Sequence, residues 1–384
     1  MKSVKYMLSI IASVLIIFVP IAFIILAVIN NSFVPFGIIA IIALIASVLL
    51  YKPIATFRVT ARQEVEMDEF GNSKAKQYER LSKKERDAID LQKTADMERI
   101  VGSATLKKLT HKGSEDPQKD LDNLIGLTEL KQQVREMAAK MEFDAQEAKL
   151  NKGKKIETDS KTESGHHAVY FGSPGTGKTT LARIMTGFLY KYHYINENKC
   201  VEVDGNFLKA GPDTATKTTY VIQKSFGGVL FVDEAYALMQ GDMYGLDAIA
   251  TLIKQMEDNR GRFVLILAGY TNEMKQLLDT NPGFKSRIKD YLLFPDYSDE
   301  EMLEIFEMMA KQKGYEIDNG AKLKFKRRVA NERPLDSYGN ARTARSILDE
   351  AMEKHAYNFI TNKWDESYRH TIREEDIKEF PKII

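Results

Sequence analysis

Residues 172–179 read Gly-Ser-Pro-Gly-Thr-Gly-Lys-Thr, a combination of residue types that is suited to binding phosphate groups. The stretch lies between a short apolar run at 168–171 and a helix-like run at 181–185. Glycines let successive backbone N–H groups converge on phosphates, and the start of the following helix adds partial positive charge. Lys178 would reach the β- and γ-phosphates, and the Thr179 hydroxyl would bind Mg²⁺. The pattern predicts a nucleoside triphosphate site; the alternative is a glycine-rich turn that binds nothing.

Two acidic residues further along the chain would complete this site. Asp233 and Glu234 follow the apolar run 229–232, which is typical of an inner strand of a parallel sheet. Asp233 can hold Mg²⁺ directly or through water, and Glu234 can orient or deprotonate an attacking water. Taken alone, the pair could equally be a helix cap or a solvated turn. Together with the upstream loop it predicts one site, because both would meet at the carboxyl edge of the sheet.

We therefore expect ATP and Mg²⁺ to bind at this edge. Thr179 and Asp233 are the predicted metal ligands, and Lys178 and Glu234 are predicted catalytic residues. The predicted phosphate-binding residues are Gly172, Ser173, Pro174, Gly175, Thr176, Gly177, Lys178, Thr179 and Thr180.

The elements that must position these residues alternate between apolar and helix-like runs. A further strand is predicted at 263–268, and its polar end, 269–272, would face the γ-phosphate if this strand lies beside the first. Another strand is predicted at 291–294. Helical periodicity with an acidic first turn at 299–306, and a second helix pattern at 341–360, predict a helical C-terminal region.

Composition narrows the possible partners. The chain has 384 residues, of which 44% are hydrophobic, enough for two or three domains with a real core. A net charge of +1 gives no basic surplus, so we expect no nucleic-acid partner. Cys200 is the only cysteine, which excludes an internal disulfide and indicates a reducing compartment. The six histidines and single cysteine form no spacing typical of structural zinc.

The first fifty residues differ sharply from the rest. Met7 to Ile29 and Phe33 to Tyr51 are two uncharged, apolar runs, each long enough as a helix to cross a bilayer core of ~30 Å. Basic residues flank both outer ends, and the turn between the runs has no charge. The positive-inside rule therefore predicts a multi-pass, two-helix anchor in the cell membrane with both termini and the nucleotide site in the cytoplasm. The alternatives are a cleaved signal peptide and a buried soluble hairpin.

Several motifs, taken in order, resemble one family. They are Asp-Asn-Leu-Ile-Gly-Leu at 122–127, the glycine-rich loop, Gly-Gly-Val-Leu-Phe-Val-Asp-Glu-Ala-Tyr at 227–236, Leu-Ala-Gly-Tyr at 267–270, the segment 281–288, and Gly-Asn-Ala-Arg at 339–342. This set resembles the AAA+ ATPases, and within them the CbxX/CfxQ group, which includes red-type rubisco activase and stage V sporulation protein K. The resemblance covers roughly residues 121–359.

The resemblance implies a fold and a division into domains. The fold would be an α/β P-loop NTPase of the AAA+ type, with a parallel five-stranded sheet and a C-terminal helical lid, preceded by the transmembrane hairpin. The expected domains are the hairpin at 1–52, a charged and partly helical linker at 53–118, the α/β nucleotide-binding domain at 119–295 and the lid at 296–384.

The resemblance also implies roles for individual residues. Arg287 matches the arginine finger, which in this family reaches the nucleotide of a neighbouring subunit, so a homo-oligomeric ring, a hexamer, is implied. Without the resemblance, an arginine before a strand is most often a surface or ion-pair residue. Arg342 matches the lid arginine that senses the γ-phosphate, and Thr271 or Asn272 stands where the first sensor is expected. The implied adenine-packing residues are Leu124, Ile125 and Gly126.

One segment departs from the family pattern. Members usually carry an aromatic, glycine-flanked loop that grips substrate in the pore of the ring, but Ala210 stands about where its tyrosine would be. Phe207 and Leu208 could substitute, although core packing is the expected role of both. Pro212 stiffens the loop. Threading of a polypeptide is therefore a weaker expectation than ATP hydrolysis.

These observations predict a membrane-anchored ATPase that hydrolyses ATP to remodel a protein client. The alternative is a nucleotide-switched membrane scaffold with little hydrolysis, which the altered pore segment favours and the intact acidic pair disfavours. A DNA-acting motor is a further alternative, disfavoured by the near-zero net charge and the apolar hairpin.

Overall fold

A computed structural model of the chain describes residue 98 and residues 101–379, apart from 151–165, 210, 241–242 and 336. The predicted membrane hairpin at 1–52 and most of the predicted linker at 53–118 lie outside the described residues. None of the helices in these ranges combines the length and the apolar composition that crossing a bilayer requires.

Helices and strands alternate through most of the described chain. The helices are α1 (Ser103–Leu109), α2 (Pro117–Asp122), α3 (Thr128–Leu150), α4 (Lys178–Lys191), α5 (Gly205–Leu208), α6 (Thr214–Ser225), α7 (Met243–Asp258), α8 (Thr271–Thr280), α9 (Pro282–Lys285), α10 (Asp299–Gln312), α11 (Asn319–Glu332) and α12 (Ala341–Thr361). The strands are β1 (Thr110–Lys112), β2 (Ala168–Gly172), β3 (Lys199–Asp204), β4 (Val229–Asp233), β5 (Val264–Gly269), β6 (Asp290–Phe294), β7 (Glu316–Ile317) and β8 (Thr371–Ile372). Three short 3₁₀ segments are at Ala235–Met239, Glu366–Tyr368 and Glu374–Asp376.

Six strands form the main sheet, in the order β1-β3-β4-β5-β2-β6. Five are parallel, as expected, but the prediction of a five-stranded sheet is corrected by β1, which pairs antiparallel with β3 through Thr110 opposite Val201. The residues of β1 are polar and only partly buried, so they lack the apolar pattern of the inner strands. The sheet thus includes residues 110–112, which precede residue 119, the predicted start of the α/β domain.

The inner strands are apolar runs because helices cover both faces of the sheet. Successive side chains point to opposite faces. Tyr170 and Phe231 lie in the apolar cluster that also contains residues of α4 and the C-terminal helices. Val169 and Leu230 lie in the cluster with residues of α6 and α7 on the other face.

The C-terminal helices α10, α11 and α12 form the lid, whose start is fixed by its own sequence. Ser298 accepts a hydrogen bond from the Glu301 backbone N–H, and the Glu301 carboxylate accepts one from Ser298 N–H, which is a capping box. Inside the lid, the rings of Phe306 and Phe325 stack with centroids 4.1 Å apart. The lid core is continuous with the cluster beneath β2.

The strand order creates the crevice that holds the site. The chain continues from β2 to β3 on one side of the sheet, whereas β6 lies on the other side of β2. Ligands of open α/β sheets bind where the strand order reverses, at the carboxyl ends of the strands. The loop 173–177 begins at this point, directly after β2.

Candidate active site

The glycine-rich loop has the conformation that a phosphate cradle requires. Gly175 and Gly177 have φ of 72° and 96°, values that side-chain-bearing residues rarely adopt. Helix α4 begins at Lys178 with Gly177 as its N-cap, so the first N–H groups of the helix face the loop without a capping side chain. Thr176 Oγ1 donates to the Ser173 carbonyl at 2.8 Å and holds the turn closed. The loop therefore presents N–H donors and a helix N-terminus to one volume.

Lys178 is held inside this loop. Its Nζ donates to the carbonyl oxygens of Gly172 and Ser173, both at 2.8 Å. The side chain is 9% exposed, and this burial lowers the pKa of Lys178, while the negative charge of nearby Asp233 opposes the shift. The lysine thus lies where the loop and the acidic pair meet.

A cavity of about 830 Å³ opens beside the loop. Such a volume is within the range of small-molecule sites in proteins. It is lined by residues of the loop and of α4, by Asp233, and by apolar side chains from the 120s and from α10. The predicted residues that line it are Leu124, Ile125, Gly175, Gly177, Lys178, Thr179, Thr180, Asp233 and Arg342. One cavity therefore brings together the predicted phosphate, metal and adenine residues.

Eight of the predicted site residues do not line this cavity: Gly126, Gly172, Ser173, Pro174, Thr176, Glu234, Thr271 and Arg287. Pro174 and Glu234 line a second, smaller cavity instead. Gly172, Ser173 and Thr176 support the loop through their backbone carbonyls and the Thr176 hydroxyl. Gly126 has φ of 59°, and a side chain there would collide with the Glu301 carboxylate at the start of the lid. Glycine at 126 thus allows the predicted adenine-packing residues 124–126 to lie against the start of the lid.

The acidic pair lies at the predicted place. Asp233 ends β4, and the next residue, Glu234, has φ 47° and ψ 39°, a left-handed conformation that is costly for glutamate. Its N–H donates to Asp233 Oδ1 at 3.0 Å. A second cavity of about 20 Å³ is lined by both acids, Lys178 and Arg342. Lysine and acids some fifty residues apart in sequence therefore converge.

The residues present fit Mg²⁺. A threonine hydroxyl and a carboxylate, from Thr179 and Asp233, line the same cavity and are the hard oxygen ligands that this ion prefers. Across the described ranges, no group of three or more histidine, cysteine or acidic side chains could hold a metal by itself. The ion would therefore take its remaining ligands from water and phosphate oxygens.

Two residues at the end of β5, Gly269 and Tyr270, line the second cavity. The predicted sensor residues Thr271 and Asn272 line neither cavity, Thr271 is the first residue of α8, and the sensor role stays a prediction. Tyr270 packs near Tyr236, with ring centroids 5.3 Å apart. Burial, together with the charge of Glu234, raises the pKa of Tyr236, so its phenol stays protonated. Because β5 ends at Gly269, Tyr270 is the first residue to leave the sheet.

Arg287 lies apart from the nucleotide cavities of its own chain. Its Nη2 pairs with Glu257 of α7 at 2.9 Å, and its Nη1 donates to the Gly283 carbonyl at 3.0 Å. It contributes to the lining of neither cavity described above. This position is compatible with a role at a neighbouring subunit, and that role stays a prediction.

The segment after β3 is anchored to the core at its start. Leu208 is fully buried, and Phe207 lies under the Lys217 ammonium group, with Nζ 4.0 Å from the ring centroid. Core packing is therefore the role that the structure gives Leu208, as expected. Ala210 lies outside the described residues.

Comparison with known proteins identifies similar chains. Residues 168–295 match the family model described as ATPase family associated with various cellular activities (AAA), and residues 298–382 match an AAA lid domain. The chain is 36% identical over 275 residues to protein CbbX of Cereibacter sphaeroides, covering 69% of this chain and 87% of that protein. It is 37% identical over 243 residues to the chloroplastic ribulose bisphosphate carboxylase/oxygenase activase of Cyanidioschyzon merolae, covering 62% and 80%. It is 31% identical over 271 residues to stage V sporulation protein K of Bacillus subtilis, covering 68% and 81%.

Proposed function

Because this chain belongs to the CbbX/CfxQ family of AAA+ ATPases and hydrolyses ATP with Mg²⁺, we propose that it couples hydrolysis to the remodelling of a protein client. The observation that carries the proposal is the convergence of Lys178, Asp233, Glu234 and Arg342 around adjoining cavities. Such a constellation binds a triphosphate and places a carboxylate beside the bond that breaks.

Each residue has a task in the reaction. The loop N–H groups and Lys178 bind and orient the phosphates, and a bound Mg²⁺ would neutralise charge on the β- and γ-phosphate oxygens. Glu234 orients the attacking water and accepts its proton. Arg342 offers a cation to the γ-phosphate from the lid. Leu124 and Ile125 supply apolar surface for the adenine.

A ring, a hexamer by family resemblance, would complete the site. Arg287 lines neither cavity of its own chain, and an arginine supplied in trans stabilises negative charge that develops in the transition state. Hydrolysis would then depend on assembly.

We further propose that the protein is anchored in the cell membrane, with the ATPase in the cytoplasm. The support comes from the sequence alone: two uncharged runs, Met7 to Ile29 and Phe33 to Tyr51, flanked by basic residues. The hairpin at 1–52 and the linker at 53–118 rest on the sequence pattern, whereas the proposed division into α/β domain and lid is supported by the family matches at 168–295 and 298–382. Full-length protein should stay with membranes during alkaline carbonate extraction, and its release would contradict the anchor.

The substitution Glu234→Gln tests the proposed function. We expect ATP binding to persist while kcat falls by about 10²–10⁴, because the amide cannot take the proton of the water. The matched control is Glu304→Gln, the same change at an exposed residue of α10, which should leave turnover unchanged. A client captured from membranes by Glu234→Gln with ATP supports remodelling. Near-normal turnover by that variant would remove Glu234 from the mechanism.

A nucleotide-switched scaffold is the second candidate. The observation in its favour is that Leu208 is buried and Phe207 lies beneath Lys217, so these residues are held against the core. A scaffold predicts that Glu234→Gln retains full biological function, whereas remodelling predicts loss of function.

A further inference from the structure

Asn340 has a backbone conformation that is unusual for a residue with a side chain. Its φ is 47° and its ψ is −123°, and Arg342 N–H donates to the Gly339 carbonyl at 2.8 Å. These values describe a type II′ turn with asparagine at its second position, where glycine is strongly preferred. Helix α12 begins directly after this turn. The chain thus retains a strained asparagine at the entry to the helix that carries Arg342.

The side chain of Asn340 is fully buried and hydrogen-bonded on both sides of its amide. Oδ1 accepts from the Tyr297 backbone N–H at 3.1 Å, and Nδ2 donates to Asp296 Oδ1 at 2.8 Å. Nδ2 also donates to the carbonyl oxygen of Pro174 at 3.3 Å. One amide therefore connects three parts of the molecule: the phosphate loop, the linker that follows β6, and the lid.

Neighbouring groups make the same connection. Ala341 N–H donates to the Gly175 carbonyl at 3.2 Å, and the Tyr297 hydroxyl donates to the Thr176 carbonyl at 3.2 Å. Three consecutive carbonyls of the loop, at 174, 175 and 176, thus accept hydrogen bonds from the lid side. The N–H groups of the loop stay available for phosphate.

We propose that Asn340 is a positioning residue, which fixes the Arg342 guanidinium relative to the phosphate loop. Arg342 follows two residues later and lines both cavities. The inference rests on the proposed role of Arg342 at the γ-phosphate. Glycine at 340 would relieve the backbone strain but leave Ala341 N–H and the Tyr297 hydroxyl as the remaining hydrogen-bond donors to the phosphate loop in this region. Aspartate would place a second carboxylate against Asp296 and could not donate to Pro174.

The test is a double-mutant cycle on the full-length protein. Asn340→Gly keeps the turn, which glycine favours, and removes only the amide. Because the variant loses all three hydrogen bonds of the amide, we expect kcat to fall at least roughly tenfold, while the affinity for a fluorescent ADP analogue changes less than about twofold. Asn340→Asp is the second variant, in case the glycine variant loosens the fold, and we expect kcat to fall at least as much.

Coupling to Arg342 distinguishes positioning from a general structural effect. If Asn340 acts through Arg342, then Asn340→Gly in an Arg342→Ala background should lower kcat less than about twofold further. If the fold-losses in kcat of Asn340→Gly and Arg342→Ala multiply in the double variant, the inference is wrong. The matched control is Asn358→Ala, which removes another buried amide of α12, one that donates to Asp376 at 2.7 Å. Asn358→Ala should lower the free energy of unfolding. Its effect on the logarithm of kcat should simply add to that of Arg342→Ala.

The outcomes also separate this inference from the proposed function. If Arg342→Ala alone leaves kcat unchanged, the arginine does not act on the γ-phosphate, and both the role of Arg342 and this inference fall. If Arg342→Ala lowers kcat but the cycle is additive, only the positioning role of Asn340 falls.

Discussion

Arg287→Ala should lower the rate of ATP hydrolysis while leaving nucleotide affinity and folding stability nearly unchanged. Arginine fingers contribute about 10³–10⁵ to kcat, so we expect a fall of roughly 10³, which corresponds to about 4 kcal/mol of transition-state stabilisation. Nucleotide affinity should be unchanged, because Arg287 lines neither cavity of its own chain.

The cost to folding should be small. Arg287 pairs with Glu257, whose side chain is 42% exposed, and such pairs contribute less than about 1 kcal/mol. Its Nε is buried and finds no partner among the residues that the structure describes, so removing the side chain also removes an unsatisfied donor. We therefore expect a melting temperature close to that of the unmodified protein.

Mixing two inactive variants provides the assay for action in trans. Lys178→Ala keeps the finger and loses the nucleotide site, while Arg287→Ala keeps the site and loses the finger. In randomly mixed rings at equal amounts, about a quarter of the interfaces would pair an intact site with an intact finger. ATPase activity should therefore reappear on mixing and depend on protein concentration. Full turnover by Arg287→Ala, or no recovery on mixing, would refute the reasoning.

Two further predictions follow from other contacts. Gly175→Ala should abolish ATPase activity and destabilise the protein by more than the ~1–2 kcal/mol of a left-handed alanine, because the new methyl group would collide with the Gly339 carbonyl. The control is Gly314→Ala, where φ is +80° but no atom lies near the new methyl group, so only the backbone cost applies. If both variants lose the same free energy of unfolding in urea, the collision at Gly175 is contradicted. Burial lowers the pKa of His167 to about 4, and its Nδ1 accepts from Leu265 N–H at 2.9 Å. Since the unfolded histidine takes up a proton first, stability should be fully present above about pH 6.5 and fall by about 2 kcal/mol by pH 5. His167→Asn should flatten that part of the pH profile, and an unchanged slope would contradict the assignment.

Much of the fold could be predicted because its signals are local. The runs at 168–171, 229–232 and 263–268 are apolar without interruption, and the structure confirms each as an inner parallel strand. The phosphate loop could also be predicted from the sequence, because its glycines and Lys178 stand together in one short segment.

The remaining features depend on partners that are distant in sequence. Strand β1 contains three polar residues and is a strand only because β3 offers it an edge. The pairing of Arg287 with Glu257 joins α7 to the turn before β6, and no local pattern indicates it. In the sequence, Asn340 is only one residue of the motif at 339–342. Its backbone strain and its three hydrogen bonds exist only in the folded chain, so the sequence does not indicate them.

The attachment of β1 to β3 has a mechanical consequence. Helix α1 leads directly into this antiparallel pair, which lies at the edge of the sheet opposite β6. A pulling force applied at α1 would therefore load β1 first and, through its pairing with β3, reach β3 before the inner strands. Since β3 runs directly into α5 and the segment that follows it, pulling on the N-terminal side and displacing that segment would strain the same part of the sheet.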